Sequence, residues 1–183
     1  MIHLSLKSLL VVVCTTVSVV LSSGVLADNR MDPVARTIWN KMVQAEAQNR
    51  FSCREEMVCG IALIPQFYRQ RDYIPAWSVN SQIRQGADQL IDALQRADNE
   101  GLSPEIYHLS LLEDMVAEIR DSNFDNHPPN VETLAELDIL LTEAFLLYSS
   151  HLRAGRVNPE TIHTAWHAFH PELDLLAVLR DAL

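Results

Sequence analysis

Three histidines have the most suggestive spacing in the chain: His163, His167 and His170 fall at i, i+4 and i+7. On one continuous helix they would share a side, which is what a zinc site asks of its imidazoles. Pro171 follows directly and Trp166 sits among them, so the helix is expected to fray before His170 and the histidines to be ordinary surface residues. Cys53 and Cys59 are the next candidates. In an oxidising compartment a pair this close is expected to form a disulfide, and closing so short a loop contributes only about 2 kcal/mol in the loop-entropy model. A redox or metal pair is the other reading, but five intervening residues do not make the C-x-x-C arrangement. Carboxylates such as Glu55-Glu56 and Asp98…Glu100 fall where solvated faces and turns are expected. No G-x-S-x-G, glycine-rich phosphate loop or H-E-x-x-H occurs. The expectation is therefore no catalytic residue, no cofactor and no metal site.

The compartment follows from the first residues. Lys7 precedes an apolar run from Leu9 to Leu21, and Val25-Leu26-Ala27 gives a small-residue exit. This is the pattern of a secretory signal peptide cleaved after Ala27, which places the rest in the periplasm. The apolar run is short of the roughly 20 residues that span a bilayer, so a membrane attachment is expected only if the segment stays uncleaved. The organisation is then 1–27 signal peptide and 28–183 a single domain. Formal net charge is −10, and Lys7 is the one charged residue before Asp28, so the exported part is more acidic still. Such a surface argues against nucleic acid and anionic lipid as partners.

The remaining sequence is patterned as helices. Asp32-Pro33 supplies a cap acceptor and a first-turn proline, and Val34, Ile38 and Met42 continue an amphipathic helix to about Ala47. Met57 to Ile64 reads as a strand or extended connector. Pro65 is expected to open a brief helix over 66–71 with Phe67 and Tyr68 on its surface, leading into an aromatic corner at Tyr73-Ile74-Pro75-Ala76-Trp77. Ile83, Ala87, Leu90, Leu94 and Ala97 predict a helix from Ser81, closed by Gly101 as a left-handed cap. Ser103-Pro104 begins a short turn of helix, and Ser110…Glu113 reads as a capping box for a helix to about Arg120. Asn130 caps the longest helix, whose stripe is Leu134, Leu137, Leu141, Ala144, Tyr148 and Leu152, and Gly155 ends it. Further helices are expected from Asn158-Pro159 through Trp166, and from Pro171 with Leu173, Leu176 and Leu179. The fold class is all-α or nearly so, an irregular bundle of about six to seven amphipathic helices with a short extended segment.

Four blocks resemble one family. Phe67-Tyr68-Arg69-Gln70-Arg71-Asp72-Tyr73-Ile74-Pro75-Ala76-Trp77 resembles the F-Y-x-x-R-x-Y-x-P-A-W signature in the N-terminal scaffold region of large bacterial murein L,D-transpeptidases. Gly101-Leu102-Ser103-Pro104-Glu105-Ile106-Tyr107-His108 is similar to that family's G-L-x-P-x-x-Y-H. Leu141-Thr142-Glu143-Ala144 resembles its L-T-x-A, and the run from His151 through Gly155-Arg156-Val157-Asn158-Pro159 its H-L-x-x-G-R-V-x-P. The blocks stand in the family's order and span most of residues 28–183.

The resemblance implies an exported envelope enzyme that links peptidoglycan stem peptides through a cysteine acyl-enzyme. The family's cysteine lies in a later domain within an S-H-G-C-type motif, and this chain has none: Cys53 and Cys59 both precede the first block. The peptidoglycan-binding insert and the following P-x-x-x-Y segment are missing too, and Leu183 falls inside the family pattern, so the chain is expected to be truncated and inactive alone. Its expected partners are an L,D-transpeptidase catalytic domain or peptidoglycan itself. A free-standing envelope binding module is the alternative, and an exposed apolar patch its expected docking surface. Tyr68, Arg71, Trp77 and Gly155 are expected to pack the domain or shape its turns.

Overall fold

The computed structural model describes residues 31–48, 63–124, 127–155 and 174–183, together with the backbone of 52–53 and 56–57. The expected signal peptide, Cys59, the side chain of Cys53, Pro159, the three histidines of the 163–170 run and the helix from Asn158-Pro159 all lie outside the described residues.

The described elements are helical apart from two small hairpins, in agreement with the patterning. Helix α1 spans Pro33–Gln48. Strands β1 (Ser52–Cys53) and β2 (Glu56–Met57) pair antiparallel, Ser52 against Met57. They are followed by α2 (Leu63–Gln70), the hairpin β3 (Ser78–Val79) and β4 (Gln82–Ile83), and α3 (Gln85–Gln95). Two 3₁₀ turns, Ala97–Glu100 and Pro104–Tyr107, lead to α4 (Leu109–Phe124), α5 (Val131–Ala154) and α6 (Leu175–Ala182).

Helix α5 organises the core. At 24 residues it is about 36 Å long, and α1, α2, α3, α4 and α6 all pack on it. Its buried residues run Thr133, Leu134 and Ala135, then Leu137 without interruption to Ala144, and Leu146, so burial encircles the helix instead of following the single stripe expected from the spacing. A helix apolar on every side belongs inside a bundle. Asn130 caps it as expected, its Oδ1 accepting the Glu132 N–H at 2.8 Å.

Local signals set other ends. Asp32 Oδ1 accepts the amides of Val34 and Ala35 at 2.9 and 3.1 Å, and opens α1. Helix α2 starts at Leu63, two residues before Pro65, because the first-turn amides have no intrahelical partner and proline sacrifices nothing there. Phe67 and Tyr68, side by side on this helix, are buried in the core, in line with the packing role expected of Tyr68. Helix α3 starts at Gln85, because 78–83 forms a hairpin whose two turn residues, Asn80 and Ser81, both have positive φ, as a type I′ turn requires. Ser110 lies inside the first turn of α4, not at its cap: the helix begins at Leu109, after His108 in the left-handed region. That helix continues to Phe124, beyond the expected Arg120. Helix α6 is capped by Asp174, whose Oδ1 accepts the Ala177 N–H at 3.0 Å, so it begins after Leu173. No described helix is long and apolar enough to cross a membrane.

Candidate functional site

A buried carboxyl group joins the aromatic corner to α5. Asp138 Oδ1 accepts the Ala76 N–H and the Tyr68 hydroxyl, each at 2.8 Å, while Oδ2 accepts the Trp77 N–H at 2.8 Å. One helical turn on, Thr142 Oγ1 accepts the Trp77 indole N–H at 3.0 Å and donates to the Asp138 carbonyl at 2.9 Å. Tyr68 Oη and Thr142 Oγ1 also lie 2.9 Å apart. The spacing of four places Asp138 and Thr142 on the same face, opposite α2 and the 73–77 corner.

The hydrogens in this network can be counted. The contacts from Tyr68 Oη to Asp138 Oδ1, from Tyr68 Oη to Thr142 Oγ1 and from Thr142 Oγ1 to the Asp138 carbonyl need three, and two hydroxyls supply two. One of the three contacts therefore shares a hydrogen with another, Tyr68 donating to Asp138 Oδ1 and Thr142 to the Asp138 carbonyl. Burial raises the Asp138 pKa from its ordinary carboxylate value, against the lowering effect of the Ala76, Trp77 and Tyr68 hydrogen bonds. Burial also raises the Tyr68 pKa well above normal, and the neighbouring Asp138 adds to the effect, so Tyr68 stays a neutral hydrogen-bonding group.

The other residues of the first block brace the corner. Arg71 Nε and a terminal nitrogen donate to the carbonyls of Ile74 and Pro75 at 2.6 and 3.1 Å. Its guanidinium lies 4.9 Å over the Phe67 ring, and burial lowers its pKa while the charge of Asp138 opposes that. Phe67 meets Tyr68 edge-on at 5.2 Å. Tyr73 has φ of 60°, and its amide bonds the Tyr68 carbonyl at 2.8 Å, which reverses the chain after α2. Pro75 is buried at the same bend.

The second and fourth blocks meet in the same way. Gly101, at φ 72° and ψ 22°, ends the first 3₁₀ turn, and Pro104 opens the next. That turn delivers the buried Tyr107, whose hydroxyl is 2.9 Å from His151 Nδ1 on α5 and whose ring stands edge-on to Tyr148 at 5.3 Å. Beside it His108 Nε2 lies 3.6 Å from the buried Glu143. Gly155, at φ 75°, ends α5, and its amide bonds the His151 carbonyl at 2.8 Å.

Enclosure decides what this chemistry can do. Tyr68 and Thr142 are 0% exposed and Asp138 1%, so no substrate reaches them, and the network acts as a clip between segments distant in sequence. Among the described residues no set of three His, Cys, Asp or Glu side chains is placed to hold a metal ion. The sequence reading missed Asp138, although an acid among Leu137, Ile139, Leu140 and Leu141 on the longest apolar helix was the available signal. A groove of about 280 Å³ opens where Trp77, Leu90, Phe145, Tyr148 and Leu152 come together, with Leu152 half exposed.

Residues 62–183 match the model of a family described as a Scaffold domain. No curated protein and no solved structure matches the chain.

Proposed function

The chain belongs to the Scaffold domain family, and from that premise we propose that it is the non-catalytic scaffold of an exported L,D-transpeptidase-like system that remodels peptidoglycan in the periplasm. The observation that carries this reading is the closed network at Asp138. The polar side chains at the centre of the first and third resemblance blocks, Tyr68, Trp77 and Thr142, turn inward on one another and on Asp138, and the second and fourth blocks join through Tyr107 and His151. A scaffold requires this use of its polar groups, whereas an active site must leave some of them facing solvent. In this reading Cys53 and Cys59 form a disulfide after export and cleavage at Ala27.

The partner is a catalytic domain of the L,D-transpeptidase class, and the apolar groove at Trp77, Phe145, Tyr148 and Leu152 is the surface offered to it. Titration of the immobilised full chain with such a domain tests this. Saturable binding that weakens in Leu152→Asp is expected. Retention on purified sacculi without binding to the domain would favour a free-standing peptidoglycan-binding module, and binding to neither would overturn both readings.

A further inference from the structure

A second groove, of about 220 Å³, lies away from the clip and is lined by Asp32, Val34, Ile74, Pro75, Val79 and Arg84 among others. We propose that it binds the C-terminus of a peptide ending in an apolar residue, with Arg84 taking the α-carboxylate and Ile74 and Val79 taking the side chain.

The groove offers an unused cation beside unused apolar surface. The Arg84 backbone is engaged, its amide on the Trp77 carbonyl at 2.8 Å and its carbonyl on the Ala87 amide at 3.0 Å. Its guanidinium forms no ion pair or hydrogen bond with any described residue. That is notable in a chain of net charge −10, where carboxylates are abundant. Asp32 lines the same groove, but its Oδ1 is held by the first amides of α1. Arg71, the neighbouring cation, is turned onto the carbonyls of Ile74 and Pro75, and Arg84 acts on it as a like charge. The groove lining therefore carries one cation, Arg84, and one carboxylate, Asp32, which is engaged at the start of α1. Ile74 is 56% exposed and Val79 50%, on either side of the Pro75–Ser78 stretch that the clip holds rigid.

Size and charge choose the ligand. The volume is below the roughly 300–1,000 Å³ of a cofactor or drug-sized pocket, so the groove has room for one or two residues of a peptide. A terminal residue carries an apolar side chain and a carboxylate on one Cα. An internal Asp or Glu would need chain to leave the groove in both directions. A polyanion such as nucleic acid would meet one cation in this groove on a chain of net charge −10.

The site is fixed by the fold. Asn80 and Ser81 at positive φ close the hairpin that presents Val79, and Asp72 and Tyr73 at positive φ turn the chain that presents Ile74. Non-glycine residues in this region concentrate at ligand clamps as well as in tight turns.

The test uses the full chain labelled with ¹⁵N and the probe acetyl-Gly-Leu-Leu with a free carboxyl terminus, titrated into the millimolar range. Saturable shifts confined to the amides of Ile74, Val79, Asn80 and Arg84 are expected. The C-terminal amide of the same peptide and the Arg84→Gln protein should each bind at least about tenfold more weakly, the cost of losing one charge-assisted hydrogen bond. Ile74→Ser should weaken binding as well. Arg84→Gln removes no side-chain bond to a described residue, and an unchanged melting temperature shows that the fold is intact. No saturable response, equal binding of acid and amide, or full binding by Arg84→Gln would each overturn the proposal.

Discussion

Replacing Asp138 by alanine is the perturbation with the most calculable outcome. The change leaves the Ala76 and Trp77 amides without an acceptor in a site that water does not reach, and removes one of two partners from the Tyr68 hydroxyl. A buried donor left unsatisfied costs about 1–3 kcal/mol, so two amides and a weakened hydroxyl together cost about 3–5 kcal/mol, after allowing for relief of the buried carboxyl group. For a domain of this size that corresponds to a fall in melting temperature of roughly 10 °C. Asp138→Asn should fall by less than the alanine variant, because its amide oxygen keeps one backbone donor while its NH₂ opposes another. The pH dependence has a defined sign. The folded pKa of Asp138 is raised, so its contribution is fully present below the ordinary carboxylate range and declines as pH rises through the folded value. The stability gap between the parent and Asp138→Asn should therefore narrow with rising pH. Thermal melts followed by circular dichroism at several pH values give both quantities. An alanine variant melting within about 2 °C of the parent would refute the reasoning, as would a gap that widens with rising pH.

Three further substitutions address single contacts. Thr142→Val keeps the shape and removes the partner of the Trp77 indole, and should cost about 1–3 kcal/mol in chemical denaturation followed by tryptophan fluorescence. Tyr107→Phe retains the stacking on Tyr148 and loses the bond to His151, with an expected loss of about 0.5–1.5 kcal/mol by the same measurement. Asn130→Ala removes the cap of α5 and should cost about 1 kcal/mol, detected as a lower melting temperature and faster hydrogen exchange in the first turn of that helix.

What could be read from the sequence was whatever is decided by neighbours along the chain. Asp32, Asn130 and Gly155 mark their boundaries because each satisfies or ends a turn through bonds within a few residues, whereas Gly101, expected to close the helix from Ser81, ends a separate 3₁₀ turn after α3 has stopped at Gln95. The β3–β4 hairpin escaped because Ile83 continues the helical spacing of Ala87, Leu90 and Leu94, and the Asn80-Ser81 turn gives a weaker signal than Asn-Gly. Ser110…Glu113 has the letters of a capping box, but His108 adopts the left-handed conformation and the helix begins at Leu109, two residues before the helix that a Ser110 cap would start. The local pattern sets Phe67 and Tyr68 side by side on their helix, but nothing near them in sequence shows that α5 is what covers them. The clip was illegible for the same reason: Tyr68 and Asp138 are 70 residues apart, and only the packed fold brings them to 2.8 Å.

The scaffold reading rests on the closed network at Asp138, which turns the polar side chains of the resemblance blocks inward. The most direct measurement is mass spectrometry of peptidoglycan stem peptides incubated with the purified full chain and no other protein. The account predicts no cross-linked or exchanged product above a buffer control, and product formed by the chain alone would contradict it.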